Sequence, residues 1–365
     1  MSKARSLPDP WILMSTLTIL CIGVVMVYSA SAVLAFREYG DYFYYLKRQL
    51  VFAILGVIAM WVTMNVDYWV WKKYAKIGLL LCFALLIIVL IPGIGVVRGG
   101  ARSWLGIGSL GIQPSEFMKL GMIVFLAKLL SEGKWDITRF TNGLLPPLAV
   151  MGAAFGLIML QPDLGTGAVL IGASLLIIFA AGAKLSHLAM LGLVGLAGFV
   201  GLIAAAPYRL QRITAFLDPW QDPLGAGYQS IQSLYAIGPG GLTGLGLGMS
   251  RQKYSYLPEP QTDFIFSIIA EELGFIGGAT VLLLFALLVW RGMRTAITAP
   301  DTFGSLLAVG IVGMIAVQVI INIGVVIGMF PVTGITLPLV SAGGSSLTLI
   351  LTAIGVLLNI SRYAR

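Results

Sequence analysis

Ten stretches of this chain stay apolar over about the length that crosses a bilayer, roughly 17–25 residues. They fall at 11–36, 48–66, 75–93, 114–131, 144–160, 165–183, 187–206, 263–290, 302–328 and 338–360. Inside hydrocarbon a backbone must satisfy its own hydrogen bonds, so segments of this kind form helices. The gap between the fifth and sixth stretches is short and holds Pro162 and Asp163. The expected fold class is an all-α polytopic membrane protein of about ten transmembrane helices, with residues 1–365 as one membrane domain.

Composition excludes the alternative of a water-soluble domain. The 365 residues are 58% apolar and 10% charged, with a mean hydropathy of +0.96. Soluble domains carry roughly 25% charged residues. Cys21 and Cys82 both lie inside apolar runs and read as small apolar side chains, not as a disulfide. A single histidine, His187, excludes a histidine-rich metal site; beside Lys184 it reads as an interfacial polar residue. Lys3 and Arg5 precede the first apolar run, but the small residues Ser29–Ala32 lie too deep for a cleavage site. That segment is expected to be a retained first span.

Basic residues set the expected orientation. With alternating spans and a cytoplasmic N-terminus, 13 Lys and Arg fall on the cytoplasmic side and nine on the outer side, with Lys119 inside a span. This bias places both termini in the cytoplasm. The outer basics, Arg37, Lys47, Arg48, Arg98, Arg102, Arg209, Arg212, Arg251 and Lys253, are not needed for orientation. The one long connection, 207–262, is extracytoplasmic and lies between spans seven and eight. It carries glycines at 238, 240, 241, 244, 246 and 248 and seven aromatics from Tyr208 to Tyr256. A disordered loop has more charge and fewer aromatics, so an ordered, partly membrane-apposed lid is expected. No inverted repeat of the kind common in transporters is evident.

Ionisable groups within spans are costly, and each needs an account. Glu116 and Lys119, three residues apart, share a helix face and can pair. Two readings are open: a neutralised structural pair, or a pair lining a polar cavity that opens outward. Asp163 and Asp263 both sit at outer helix starts, where dipole stabilisation and capping by the acid, or by Thr262 in the second case, are the simplest roles. Asp263 also follows the stiff approach Leu257-Pro258-Glu259-Pro260-Gln261-Thr262, which suits a carboxylate held at the water interface. Glu271 and Glu272 point to different helix faces, and a structural role is the leading reading for each. Arg102, beside Trp104, offers a fork of donors suited to phosphate. With the other outer basics it would line a groove for a lipid headgroup carrying diphosphate. Nucleic acid does not fit an outer-face patch beside a membrane.

Several strings resemble the signatures of the SEDS family, the shape, elongation, division and sporulation proteins grouped as FtsW, RodA and SpoVE. They include 99–104, Gly111 to Lys119, Gln161 to Thr166, Gly227 to Gly238, Tyr256 to Phe266, Asn322-Ile323-Gly324, Pro331 to Gly334 and Gly343 to Leu347. Their order and spacing hold across nearly the whole chain. The loop wording and short tails are most similar to the sporulation and division members. Two departures stand out. Ser103 separates Arg102 from Trp104, where many relatives have Arg directly before Trp. Ala342 replaces a common Tyr before the last glycine pair.

The resemblance implies polymerisation of lipid II into glycan strands on the outer face of the cytoplasmic membrane, with a class B penicillin-binding protein as transpeptidase partner. Its essential acid corresponds to Asp263. Its polar cavity groups correspond to Arg48, Arg102, Glu116, Lys119 and Asp163, with Trp104, Ser345 and Ser346 as further substrate contacts. Asp263 would act as general base, and Arg48, Arg102 and Lys119 would hold the departing diphosphate. A divalent cation, Mg or Mn, shared with substrate phosphates is compatible with that scheme. Two rival readings remain: a lipid II flippase, and a non-catalytic scaffold for the transpeptidase.

Overall fold

The computed structural model describes residues 6–98, 101–107, 110–133, 135–204, 214–254 and 256–364. Its helices are α1 (Pro10–Tyr39), α2 (Tyr44–Asn65), α3 (Tyr68–Leu90), α4 (Pro114–Ser131), α5 (Leu145–Met159), α6 (Leu164–Ala180), α7 (Leu185–Ala204), α8 (Tyr228–Ile237), α9 (Ile265–Ile297), α10 (Thr302–Val326) and α11 (Gly344–Ser361). Seven helical segments are long and apolar enough to cross a membrane: α1, α2, α3, α5 with its leading π-turn, α9, α10 and α11. Helices α6 and α7 supply shorter apolar segments. Helix α4 carries the Glu116–Lys119 pair within its apolar length. The bundle therefore has roughly ten spans, as expected, with α8 outside them.

Local chemistry sets the helix ends. The Asp9 carboxylate accepts from the backbone N–H of Trp11 at 2.9 Å and of Ile12 at 3.2 Å, with Pro10 at the first helical position. Asp301 caps α10 in the same way through Gly304 N–H at 2.8 Å. Such caps satisfy donors that the helix leaves open. Both chain ends meet at one end of the bundle: Ser6 N–H donates to the Arg362 carbonyl at 3.0 Å, and Arg291 pairs with Asp9. The opposite end holds the turns around 41, 113, 163, 263 and 343, and is called the site end below.

Helix α10 is the interior post, packed among α4, α6, α9 and α11. Its best apolar stretch is 72% buried, against 28% for α2 and α3. Three features depart from a plain helical bundle. Three short strands form a small antiparallel sheet in the order β1 (Val96–Arg98), β2 (Ala101–Ile107), β3 (Leu110–Ile112). Helix α9 is broken at Gly274, whose φ of 66° and ψ of −164° are non-helical. The last span does not begin at 338: residues 331–343 run without regular structure, and the helix starts only at Gly344.

That last segment is buried, with Ile335, Leu337, Leu339, Val340 and Ser341 all shielded. Irregular backbone at this depth persists where protein groups take up its hydrogen bonds. Here they do: Gln318 Nε2 donates to the Thr336 carbonyl at 3.0 Å and Asn322 Nδ2 to the Ile335 carbonyl at 2.7 Å. Helix α1 presses against it at Gly23, where a Cβ would lie 2.5 Å from the Leu339 carbonyl oxygen.

Candidate functional site

Asp263 stands at the site end on a turn just ahead of α9. It does not cap that helix, and neither does Thr262: α9 starts at Ile265 behind Phe264 with no side-chain cap. The Asp263 carboxylate instead accepts from Thr262 Oγ1 at 2.7 Å, and the residue is half-buried. Its backbone is held from three sides. Asn322 Nδ2 donates to the Asp263 carbonyl at 2.8 Å, Ser341 Oγ to the Thr262 carbonyl at 2.5 Å, and Ala342 N–H to the Gln261 carbonyl at 2.8 Å. The Ala342 link uses backbone alone, so loss of the family's Tyr at that position leaves it intact.

The approach to Asp263 is strained. Glu259 has a φ of 50° and Leu339, on the segment that clamps the turn, a φ of 64°. Non-glycine residues in this region cost on the order of 1–3 kcal/mol and persist where the surroundings overdetermine them. Glu259 exposes much of its surface, yet its carboxyl is turned in, accepting from Gln261 Nε2 at 3.1 Å and Thr262 Oγ1 at 3.4 Å. Burial of that carboxyl pushes its pKa above the usual carboxylate range, and the negative charge of Asp263 adds to the rise. Two acids are thus electrostatically coupled at the site end.

The other site residues arrive on separate elements. Arg48, half-buried in the second turn of α2, lies 6.0 Å from the Phe52 ring. Its neighbour Gln49 donates to the Ser341 carbonyl at 3.3 Å, linking that turn to the clamp on Asp263. Arg102 and Trp104 are half-buried on β2, opposite Val97 and Val96. The sheet delivers the chain to Gln113, whose N–H donates to Ser345 Oγ at 3.4 Å. Ser345 and Ser346 open α11 and are buried, and Ser346 Oγ is a buried hydroxyl without a bonding partner. Asp163 caps α6 through Thr166 N–H at 3.0 Å, as its position predicts. It also accepts from Gln113 Nε2 at 2.9 Å and Ser115 Oγ at 3.4 Å.

Glu116 and Lys119 pair at 2.8 Å and are 7% and 2% exposed at their side chains. Lys119 donates further to Gln318 Oε1 at 3.1 Å. The pair belongs to a bonded track that runs through Gln318, Thr336, Ile335 and Asn322 to the Asp263 backbone. Of the three cations assigned to a diphosphate, Arg48 and Arg102 stand partly open, whereas Lys119 is enclosed.

The broad basic groove expected from the sequence does not assemble as drawn. Lys253 is 5% exposed; it donates to the Gly248 carbonyl at 2.5 Å and pairs with Glu272 at 3.2 Å. Lys47 turns to Asp41 at 2.8 Å, and that bond, with the Phe43 N–H, holds Asp41 below its ordinary pKa. Arg209 and Arg212 lie outside the described residues. Burial explains the Lys253 result, because a cation taken from water seeks a carboxylate.

Sequence reasoning missed how the long loop is fastened. Breaking α9 at Gly274 frees backbone groups, and the glycine-rich stretch takes them up. Leu245 and Gly246 N–H donate to the Glu271 and Glu272 carbonyls, each at 3.0 Å, while Phe275 and Ile276 N–H donate to the Gly241 and Leu242 carbonyls at 2.9 and 3.1 Å. The fit depends on missing side chains: a Cβ on Gly244 would lie 2.1 Å from the Glu272 carbonyl oxygen, and one on Gly274 2.3 Å from Gly244 N. Beneath this seam, Glu271 accepts from Ser250 Oγ at 2.5 Å and Arg251 N–H at 2.8 Å. Glu272 accepts from Ser29 Oγ at 2.6 Å, Ser250 N–H at 3.2 Å and Lys253 Nζ at 3.2 Å. Helix α8 docks through Ser233, bonded to Ser267 Oγ and the Val326 carbonyl at 2.7 Å each. The described part of the loop is thus ordered, as its aromatics indicated, and fastened to α9.

Among the described residues no three His, Cys, Asp or Glu side chains converge as a metal cage. The coupled carboxyls of Glu259 and Asp263 match the other arrangement used for Mg or Mn, one or two carboxylates completed by substrate phosphates.

Fold and site together define a polytopic membrane protein with a half-buried acid on a clamped turn at one end of the bundle and a long loop fastened to α9. Residues 10–365 match the FTSW_RODA_SPOVE family model, described as a cell cycle protein. The chain belongs to the FtsW/RodA/SpoVE family. It is 61% identical to stage V sporulation protein E of Bacillus subtilis strain 168 over 365 residues, covering 100% of both chains. It is 45% identical to a probable peptidoglycan glycosyltransferase FtsW of Trichlorobacter lovleyi, covering 97% of this chain and 93% of the relative. Among solved structures, it matches a chain from work on structural coordination of polymerization and crosslinking by a peptidoglycan synthase complex. That match has a TM-score of 0.81 at 33% identity, over 97% of this chain and 98% of the other. The rod shape determining protein RodA of Thermus thermophilus matches with a TM-score of 0.72 at 31% identity, over 97% of each chain.

Proposed function

We propose that this protein is a peptidoglycan glycosyltransferase. It polymerises lipid II into glycan strands on the outer face of the cytoplasmic membrane and releases polyprenyl diphosphate, in septal or spore cortex wall synthesis. The observation that carries the reading is Asp263: a half-open carboxylate on a turn whose backbone is clamped by Asn322, Ser341 and Ala342. Clamping the backbone while leaving the acid accessible suits a group that must meet a substrate in one geometry. The site end faces outward in this reading, and both termini are cytoplasmic.

Asp263 takes the proton from a sugar hydroxyl of one lipid II as that oxygen bonds to the anomeric carbon of the donor. The bond from that carbon to the diphosphate breaks, with inversion, and the diphosphate leaves as an anion. Arg48 and Arg102 hold the departing charge, with Trp104, Asp163, Ser345 and Ser346 as substrate contacts. Lys119 and Glu116 act from within, through the bonded track to the Asp263 backbone. Asp263 and Glu259 would hold a divalent cation, which would supply further positive charge there. A class B penicillin-binding protein is the proposed crosslinking partner, in keeping with the match to a peptidoglycan synthase complex.

The test is lipid II polymerisation in detergent by the purified protein with its partner, wild type against Asp263→Ala. Glycan from wild type and none from the variant supports the proposal. A flippase makes no glycan in detergent, and a scaffold leaves the output unchanged when Asp263 is lost; either result overturns it.

A further inference from the structure

A crevice of about 470 Å³ opens on the outside of the bundle between α3, α4 and α5, in the half nearer the chain termini. Its α3 wall is the stripe Leu79, Leu80 and Phe83, one helical face; Phe125 forms the back, and Ala149 and Ala153 leave the α5 side shallow. The lining is apolar except for one side chain, Lys76. Side chains on a helix lean toward its N-terminus, so Lys76 reaches toward the end of the bundle where α3 begins. Lys72 and Lys73 stand one turn nearer that end.

We propose that this crevice binds an anionic phospholipid of the terminus-side leaflet, with an acyl chain against the α3 stripe and the headgroup phosphate on Lys76. Charge carries the choice of occupant. Among the described residues, none of Lys72, Lys73 and Lys76 forms an ion pair. The acids at the same end have other partners: on the connection between α4 and α5, Asp136 pairs with Arg139 and Glu132 is engaged as well. Asp9 pairs with Arg291, Asp301 accepts from Tyr68 Oη, Trp69 Nε1 and Gly304 N–H, and Asp67 accepts from Tyr363 Oη. An exposed lysine above a hydrocarbon-lined slot complements a lipid that has one negative charge above its tails. A transmembrane helix of a partner protein would fill the slot but leave that cation unpaired.

The experiment places the full chain in nanodiscs with equal phosphatidylglycerol and phosphatidylcholine, then releases it and counts retained lipids by native mass spectrometry. Wild type is expected to retain phosphatidylglycerol in preference. Lys76→Gln should cut that preference about fivefold, the factor one basic residue is worth at an anionic lipid surface. Ala153→Phe, which fills the slot, should reduce retention of both lipids. Unchanged melting temperatures in detergent confirm that both variants fold. Equal retention of the two lipids by wild type, or unaltered phosphatidylglycerol retention in both variants, overturns the proposal. So does an Ala149→Cys variant that crosslinks to a membrane partner protein through that position.

Discussion

Two pairs of acids lie within fourteen residues of each other and are treated in opposite ways. Glu259 and Asp263 sit on a strained, half-open turn, coupled to one another. Glu271 and Glu272 are 1% and 0% exposed and accept bonds from Ser29, Ser250, Arg251 and Lys253. A carboxylate saturated with donors inside protein is fixed in place. Asp263 is held instead through its backbone on a half-buried turn, the arrangement that the proposed role as general base requires.

The sharpest way to break that comparison is to remove each charge without removing its shape. Asp263→Asn is expected to lower the polymerisation rate by about 10²–10⁴, the contribution typical of a general base, with the melting temperature unchanged. Equal activity in the two proteins would erase the distinction. Glu272→Gln should show the reverse pattern. It leaves Lys253 buried without its partner, a loss of about 3–5 kcal/mol, read as a lower melting temperature in detergent. The double change Glu272→Leu with Lys253→Met should recover much of that loss, because paired removal leaves no orphaned charge.

Gly274→Ala probes the seam under the lid. A Cβ there meets Gly244 N at 2.3 Å on a backbone with φ of 66°. A loss of about 1–3 kcal/mol is expected, with faster proteolysis of the loop as the direct measurement. The smallest effect concerns Glu259. Burial, with the negative charge of Asp263 adding to it, holds the Glu259 carboxyl above the ordinary carboxylate range, and the sign of that shift fixes a stability effect that Glu259→Gln removes. Since the folded pKa of Glu259 is raised, its contribution to stability is fully present below the unfolded value, about 4.3, and is lost as pH rises through the folded value. The Gln variant should lack that pH dependence.

Much of the fold was legible because hydrocarbon allows few solutions. Apolar runs of spanning length announce helices, an i,i+3 Glu–Lys pair announces a shared face, and an Asp before Gly165-Thr166 announces a cap. Other features were not legible, because they depend on a partner distant in sequence. Segment 331–343 carries Pro331, Gly334 and Pro338, which interrupt a helix, but only Gln318 and Asn322 show how its irregular backbone is satisfied at depth. Lys253 read as an outer cation until Glu272 was found beside it. The break at Gly274 looks like one more glycine in a span, and only the docked glycine-rich stretch shows why the helix ends and restarts there.

By itself, then, the sequence determined the solvent, the number and approximate place of the spans, and the family, since each follows from local composition or ordered motif. The tertiary structure decided which charges are open and which are enclosed, and where helices yield to irregular backbone. Those outcomes are set by burial and by hydrogen-bond partners on other elements, 13 to 19 residues away for Asn322, Gln318 and Lys253, and no short local pattern encodes them.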